Sequence, residues 1–454
     1  MAGESSLDRR CSCLCPLSFK SADCSPRTSR LWRGFSPQES SRMVHSCCFD
    51  APTSSLPSRG HRTSCGRQVQ YETRDWRSGR VMSKMTTLKK VKRYVRESYL
   101  LGHFPSSRSA LFSNRHKLAY FGFLGDGNVG DEMVYWAAKK LLSDSILIPL
   151  KRRMPLELKL RCRKPEAFFD GVVFGGGTLI NQYPMGETEK RLLQSGLPVF
   201  VHGTGVVNGD LPRDWEMLDG KIYGGVRGPV SQQYISHLAD TPIAGDAVMA
   251  LEFKRSLANS TTQPRVLLNL GTHEHNEHGC EREVEECVIR LVEQASMQGL
   301  AAAFVPFHHI DCRRAEKLSA RIPSLQVLPM PKTMADLRAC FEGVEFAFGE
   351  RLHFVITAAL FGCAFASVNY ASKHVDFLRS VGLEHCGFAP HEINCKLVER
   401  LINERGSFDG QRASDRAREL RCFQELEADR FGRAVTQRAQ AIGRGSRAVL
   451  NCIG

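Results

Sequence analysis

The chain has 454 residues, of which 42% are hydrophobic and 24% are charged, and its formal net charge at pH 7 is +14. This composition excludes a wholly disordered chain, a collagen-like chain and an integral membrane protein. The longest apolar stretch, Phe354–Val368, is shorter than the about 20 residues that a spanning helix needs, and it contains Gly362. We therefore expect a buried helix followed by a strand in this stretch.

The positive charge is concentrated at the start of the chain. Residues 1–96 carry 19 Lys and Arg against 7 Asp and Glu, whereas residues 97–454 carry 43 against 41. Basicity therefore does not indicate a nucleic-acid partner for the body of the protein. Residues 1–96, rich in Ser, Arg, Cys and Pro at their start, are predicted to form a disordered basic leader. Met82 or Met85 is expected to be the functional start.

Cysteine usage indicates a reducing compartment. Seven of the 17 cysteines lie in the first 65 residues, none of these forms a CxxC pair, and the others are scattered singly. An odd total without an apolar signal region is typical of reduced thiols. We therefore expect a cytoplasmic protein without a zinc site.

From Lys117 onward, short apolar runs alternate with helical patterns, which predicts βαβ units and parallel sheets. The predicted strands are Leu118–Phe123, Ile146–Leu150, Val172–Phe174, Val199–His202, Ile222–Val226, Val266–Leu270, Ala303–Pro306, Gln326–Leu328, Phe346–Phe348 and Phe365–Asn369. The predicted helices include Glu132–Leu142, Glu283–Gln298, Arg313–Ile322, Met334–Phe341 and Phe354–Phe361.

The polar stretch Glu252–Pro264 divides these strands into two groups. The pattern predicts two doubly wound Rossmann-like domains, at 117–251 and 265–385, that face a cleft and bind ligands at the carboxyl ends of their strands. Residues 386–454 are predicted to be a helical segment that packs on the body. Within it, Leu420, Phe423 and Leu426 recur at near-helical spacing and predict the buried face of an amphipathic helix.

Three strand ends in the first group are rich in glycine. The segment Gly122–Glu132 lacks the spacing of a dinucleotide fingerprint, and its carboxylates would repel a bare phosphate. Asp131 suits a helix N-cap; alternatively, Asn128 and the carboxylates of Asp126, Asp131 and Glu132 hold a neutral, hydroxyl-rich ligand. The runs Gly175–Gly177 and Gly203–Gly205 follow two further strands and indicate a cleft floor lined by backbone.

Cationic side chains follow strands on both sides of the predicted cleft. Arg351 and His353 leave a strand of the second group and open an apolar helix, and Arg227 follows a strand of the first. Arginine can bind a carboxylate or phosphate with two parallel hydrogen bonds, and histidine can move a proton near neutral pH. His308, His309 and Asp311 form a potential metal motif. Because adjacent histidines on an extended segment point in opposite directions, we do not expect a metal there.

Taken together, these elements resemble the polysaccharide pyruvyl transferase family. The matching segments are Gly127–Glu132, Gly175–Gly177, Gly203–Gly205, Val226–Arg227, Gly245–Asp246, Arg351–His353 and Asn369–Lys373. The resemblance implies a GT-B-like fold. It also implies transfer of the pyruvyl group of phosphoenolpyruvate onto two hydroxyls of one sugar, which gives a cyclic ketal in a polysaccharide or its precursor.

The resemblance also implies roles for individual residues. Arg227 and Arg351 are expected to bind the phosphate and carboxylate of the donor, with His353 as general acid and His308 as the second candidate for that role. The expected substrate-binding residues are Asn128, Asp131, Gly176, Gly177, Gly205, His308, Leu352 and Lys373. No cofactor, metal or nucleic acid is expected. A lipid-linked acceptor and a peripheral contact with the inner face of the membrane are left open.

Three positions depart from the family pattern. Gly228 replaces an acidic residue that often follows the arginine, Glu350 replaces a neutral one, and Ala247 replaces a proline. Two alternatives stay open. A nucleotide-sugar glycosyltransferase of the GT-B class would share the two-domain architecture and the glycine-lined cleft, and Gly228 and Glu350 are compatible with a catalytically silent carbohydrate-binding relative. The released product distinguishes them, because the first would release a nucleotide and the second would bind sugar without turnover.

Overall fold

The computed structural model describes residues 113–125, 127–150, 165–207, 209–253, 263–271, 279–408 and 410–441. The predicted leader and start sites lie outside these residues. All described residues fall within one compact unit of the chain.

The first half of the described chain forms a parallel sheet with flanking helices. Its strands are β1 (His116–Phe121), β2 (Ser145–Leu150), β3 (Gly171–Phe174), β4 (Val199–Thr204) and β5 (Ile222–Val226), in the order β2-β1-β3-β4-β5. Its helices are α1 (Val129–Leu141), α2 (Pro165–Phe168), α3 (Glu187–Gln194) and α4 (Pro229–Ile235). All four residues of β3 are buried, as expected for a central strand that is covered on both faces.

The second half repeats this architecture. Strands β6 (Arg265–Asn269), β7 (Ala301–Phe304), β8 (Leu325–Val327), β9 (Val344–Gly349), β10 (Ala364–Val368) and β11 (Gly387–Phe388) form a parallel sheet in the order β11-β10-β9-β6-β7-β8. The helices are α5 (Glu281–Met297), α6 (Asp311–Arg321), α7 (Met334–Phe341), α8 (Leu352–Leu360), α9 (Ser372–Val381), α10 (Cys395–Asn403) and α11 (Gly410–Ala441).

These two sheets confirm the predicted fold class, two doubly wound α/β domains. The buried helix predicted near Phe354 is α8, in which all nine residues are buried. The limits predicted for the domains stay predictions. Strand β11 was not predicted. It is only two residues long, and so short a strand gives no apolar run that can be recognised in the sequence.

Each sheet has a point where the strand order reverses direction. In the first sheet this point lies between β1 and β3, and in the second it lies between β6 and β9. Loops that leave neighbouring strands to opposite faces of a sheet open a crevice at such a point, and ligands bind there. The loop after β1 leads to Asn128, and the loop after β9 leads to Arg351. The topology therefore places both predicted motifs at the crevices.

The two domains share an apolar contact. Val129, Met133 and Val134 of α1 belong to the same buried cluster as the residues of α8. The backbone N–H of Val129 donates to the carbonyl of Phe307, after β7, at 2.9 Å. The N-terminus of α1 is therefore held against the second domain.

Helix α11 spans both domains, but its buried face differs from the predicted one. Leu420 is buried, whereas Leu426 is 55% exposed. Each residue advances by about 100° around a helix of 3.6 residues per turn. The six steps from residue 420 to residue 426 therefore advance by about 600°, which leaves the two side chains about 120° apart around the helix axis. The buried stripe instead has helical periodicity and includes two polar side chains; it comprises Ala413, Ala417, Leu420, Gln424, Glu427, Ala428, Phe431 and Val435.

Within the described part of the chain, no helix combines the length and the apolar character needed to cross a membrane.

Candidate functional site

Asn128, rather than Asp131, caps helix α1. Asn128 Oδ1 accepts a hydrogen bond from the backbone N–H of Gly130 at 3.1 Å, and its Nδ2 donates to Asp131 Oδ2 at 2.8 Å. The expectation that Asp131 is the N-cap is therefore wrong. As the third residue of the helix, Asp131 still lies where the helix dipole favours a negative charge.

The carboxyl of Asp131 is hard to ionise. Burial raises its pKa to about 7, against the opposing effects of Lys373 and of the hydrogen bond from Asn128. Lys373 and Arg351 both act electrostatically on Asp131, so residues predicted from opposite sides of the cleft do come together. A carboxyl that titrates near neutral pH can accept or donate a proton under physiological conditions.

This titration predicts a pH-dependent stability. Because the folded pKa lies above the ordinary value of 3.8, the stability associated with the neutral carboxyl is complete below about pH 4 and is lost as the pH rises through about 7. Asp131→Asn should therefore raise the melting temperature relative to the wild type at pH 8 more than at pH 4. Asp429→Asn, on the exposed face of α11, is the control. An equal change at both pH values would contradict this assignment.

Gly130 of the first domain packs closely against His353. A Cβ on Gly130 would overlap Nδ1, Cγ and Cβ of this histidine. No side chain fits at position 130 unless the ring moves. The close approach requires a glycine because of space, since Gly130 is not among the glycines with positive φ.

Gly130→Ala is expected to displace His353. With His353 as the proton donor proposed below, this displacement should lower kcat at least tenfold with little loss of folded protein, because misplacing a reacting group by about 1 Å costs up to about 10²-fold in rate. Gly432→Ala, in the interior of α11 with no atom within 4 Å of a new Cβ, is the control; it should be neutral for activity and stabilise the fold by about 0.5–1 kcal/mol. Steady-state kinetics and thermal melts check both variants, and an unchanged kcat for Gly130→Ala would contradict the packing argument.

Arg227 is buried and bound on two sides. Its Nε donates to Asp246 Oδ2 at 2.9 Å and its Nη2 donates to the carbonyl of Gly177 at 2.7 Å. A Cβ on Gly205 would overlap Nη1 of the guanidinium. Gly177 and Gly205 therefore line the arginine, whereas Gly176 packs between Val134 and Ala247.

His353 lies at the start of α8, beside the Arg227–Asp246 pair. Its Nε2 is 3.8 Å from Asp246 Oδ1 and has no hydrogen-bond partner among the described residues. Burial lowers the pKa of His353 to about 4, with Asp246 opposing and Arg227 and Lys373 adding to the effect. The imidazole is therefore neutral at pH 7 in the free protein. Leu352 is buried and packs in the core.

Arg351 is also paired with a carboxylate. Its Nε donates to Asp311 Oδ2 at 3.2 Å, its Nη2 donates to Asp311 Oδ1, and its backbone N–H donates to Asn269 Oδ1 at 3.1 Å. Asp311 is fully buried and also accepts from the backbone N–H groups of Phe307 and His308. The edge of the guanidinium that carries Nε and Nη2 is therefore fixed within the protein.

The two adjacent histidines after β7 do not point apart. The ring centroids of His308 and His309 are 4.2 Å apart, which corrects the expectation that they face opposite directions. The segment is a turn closed by the hydrogen bond from Asp311 N to His308 O, so the alternation of an extended strand does not apply. Burial, with Arg351 and His309 adding, lowers the pKa of His308 to about 4.

Lys373 stands over an aromatic ring at the edge of the site. Its ammonium nitrogen is 4.9 Å from the ring centroid of Tyr370, within the range of a cation–π contact. It acts on both Asp131 and His353. Within the described residues, no group of three or more metal-ligating side chains is arranged to hold an ion.

The structure accounts for the three departures from the family pattern. A side chain at Gly228 would collide with the backbone and carboxylate of Asp376, which accepts from the N–H groups of Val230 and Ser231. A carboxylate is therefore present beside this position, supplied by α9. Ala247 is the first residue of a 3₁₀ turn capped by Asp246, a place where proline and alanine both fit.

Glu350 has a counterion inside the fold. Its Oε2 accepts from Arg314 Nη1 at 2.9 Å and from the backbone N–H of Gly271 at 2.7 Å. Arg314 and Glu350 are both buried. Arg314, which also donates to Glu285 Oε1 at 2.9 Å, is thus the counterion of the extra carboxylate.

The cationic groups were predictable from the sequence, but the acidic groups that hold them were not. Asp246 was predicted only as part of the family pattern, and Asp311 only as a potential metal ligand. Asn269, which orients the backbone of Arg351, was missed. Its position as a polar residue near the carboxyl end of an apolar predicted strand is the signal that could have revealed it.

Comparison with known proteins supports the resemblance. The family model for polysaccharide pyruvyl transferases matches residues 128–372. No curated protein matches the sequence.

Several solved structures are similar to this chain at low sequence identity. A putative UDP-N-acetylglucosamine 2-epimerase from Listeria monocytogenes is 11% identical over 67% of this chain and 94% of its own, with a TM-score of 0.43. The ADP-heptose lipopolysaccharide heptosyltransferase II of E. coli is 14% identical over 64% and 99%, with a TM-score of 0.38. A functionally uncharacterized protein of Klebsiella pneumoniae is 17% identical over 62% and 95%, with a TM-score of 0.35.

The family match covers more than half of the chain and includes Asn128, Arg227, Arg351 and His353. The chain therefore belongs to the polysaccharide pyruvyl transferase family.

Proposed function

We propose that this protein transfers the pyruvyl group of phosphoenolpyruvate onto two hydroxyls of one sugar and forms a cyclic ketal. The observation that carries the proposal is the neutral, buried His353 between Asp246 and the cations Arg227 and Lys373. Phosphoenolpyruvate combines a phosphate, a carboxylate and a carbon that must be protonated. A site for this donor needs fixed cations beside a proton donor.

The donor would bind against the cations. The bonds to Asp246 and Gly177 engage two of the five N–H groups of Arg227, so this guanidinium has further donors for an anion. Arg351, oriented by Asp311, and Lys373, beside Asp131, would complete the binding site. Each arginine is held by a carboxylate before the donor arrives, and little further ordering is needed on binding.

In the reaction, protonated His353 would give its proton to the methylene carbon of phosphoenolpyruvate. C2 then becomes electron-poor, and one sugar hydroxyl adds to it. The bond from C2 to the phosphate oxygen breaks and the second hydroxyl adds to C2, which closes the ketal. Of the two protons lost by the hydroxyls, one balances the proton now in the new methyl group, and the other leaves with the phosphate.

His353 must be protonated at the moment of transfer, although its pKa is about 4 in the free protein. The bound donor would add negative charge next to His353, because its phosphate and carboxylate would lie near the ring. This charge favours the imidazolium. Proton uptake by His353 is therefore coupled to donor binding. We propose no cofactor or metal for this sequence of steps.

The test is a comparison of released products. Purified protein is incubated with saccharides, lipid-linked and free, together with either phosphoenolpyruvate or nucleotide sugars. Acceptor-dependent phosphate release, with one new methyl signal in the acceptor for each phosphate, is expected. Release of nucleotide from a nucleotide sugar would show a glycosyltransferase, and saccharide binding without either product would show a silent relative; either result overturns the proposal.

A further inference from the structure

A single buried carboxylate contacts both residues proposed to bind and protonate the donor. Asp246 is fully buried. Its Oδ2 accepts from Arg227 Nε at 2.9 Å, and its Oδ1 accepts from the backbone N–H of Val248 at 3.1 Å. The same Oδ1 lies 3.8 Å from His353 Nε2, the ring nitrogen that has no hydrogen-bond partner among the described residues. Each carboxylate oxygen thus faces a different group of the proposed site.

The loop that carries Asp246 is fixed from two sides. In front, a Cβ on Gly203 would overlap the backbone of residues 245–247. Behind, Gln424 Nε2 of α11 donates to the carbonyls of Ala244 and Asp246 at 2.9 and 3.0 Å. Leu420 packs on Gly245, its Cδ1 3.0 Å from where a Cβ would lie. The backbone position of Asp246 is therefore set by β4 and by the C-terminal helix.

We propose that Asp246 is a positioning residue that couples donor binding to proton transfer: one oxygen orients the Arg227 guanidinium, and the other directs and holds the proton on His353 Nε2. This inference rests on the proposed function for its consequence in catalysis. The effect of Asp246 on the pKa of His353 involves only the protein, so it can be tested without substrate.

The charges around Asp246 and His353 determine the direction in which the pKa of His353 should change. His353 faces Asp246, Arg227 and Lys373, of which Asp246 favours the imidazolium and the two cations oppose it. On its other side, Asp246 faces His202 of β4, whose pKa burial lowers to about 4, so that His202 is neutral at pH 7. Removing the charge of Asp246 leaves two cations acting on His353, and its proton affinity must fall.

The experiment is a pH titration of the His353 ring by NMR, with its signals assigned by their loss in His353→Gln. In Asp246→Asn, the midpoint should move to lower pH by about one unit or more. The control is Glu427→Gln, which removes another buried carboxylate, bonded to the backbone N–H of Gly224, and should leave the midpoint unchanged. An unmoved midpoint in Asp246→Asn, or an equal shift in the control, overturns the inference.

A second variant tests the same inference if Asp246→Asn does not fold. Asp246→Glu retains the charge but displaces it, so the His353 midpoint should still change, whereas an unmoved midpoint counts against the inference. In turnover, Asp246→Asn should raise the KM for phosphoenolpyruvate and shift the alkaline limb of kcat to lower pH. A wild type that titrates as expected but does not turn over phosphoenolpyruvate contradicts the proposed function while leaving the coupling intact.

Discussion

Replacing His353 by glutamine is expected to lower kcat by ~10²–10⁴-fold while the protein still binds phosphoenolpyruvate. Glutamine preserves a hydrogen-bonding group beside Asp246 but cannot supply a proton to carbon. Steady-state kinetics measure kcat, and fluorescence or calorimetric titration measures donor binding in the absence of acceptor.

The control for this substitution is His374→Gln. His374 is also buried, and its Nε2 donates to the carbonyl of Glu350 at 2.8 Å, so it holds the backbone of α9 against the loop after β9. Its replacement should lower the melting temperature, whereas kcat per folded molecule should change little. Near wild-type turnover by His353→Gln would show that another group is the acid, and His308→Gln is then the variant to make.

Replacing Arg227 by lysine is expected to raise the KM for phosphoenolpyruvate by about 10- to 100-fold, since a hydrogen bond to a charged group contributes about 1.5–3 kcal/mol. Lysine keeps the charge beside Asp246, but its single ammonium cannot reproduce the planar set of donors that also binds the Gly177 carbonyl. Arg351→Lys should show the same effect, because Asp311 would no longer be bound by two parallel bonds.

Arg265→Lys is the matched control. Arg265 donates to the carbonyls of Ala339 and Cys340 from the amino end of β6, opposite the proposed cleft. Its replacement should affect stability alone. Unchanged donor KM in both Arg227→Lys and Arg351→Lys would contradict their assignment to donor binding.

The fold was predictable from the sequence because it depends on local patterns. Buried runs such as Val172–Phe174 and Val199–His202, separated by helical patterns, are sufficient to predict parallel sheets. Glycine and charged residues at the strand ends then indicate a cleft, because the carboxyl ends of parallel strands share one edge.

The partners of the site residues were not predictable in this way. Arg227 and Asp246 are 19 residues apart, and Arg351 and Asp311 are 40 apart; no local periodicity connects them. The need for glycine at position 130 depends on an imidazole in the other domain. The two ion pairs depend on how loops pack within each domain, and the Gly130–His353 contact depends on how the two domains pack. A single sequence carries no direct signal of either kind of packing.

Turnover in deuterated water tests the central claim most directly, because it follows the proton that His353 is proposed to deliver. With phosphoenolpyruvate and a sugar acceptor, the ketal methyl group of the product should carry a single solvent deuteron, and His353→Gln should form this product at least 100-fold more slowly. A product methyl group without solvent deuterium, or equal rates of its formation by the two proteins, would contradict the account.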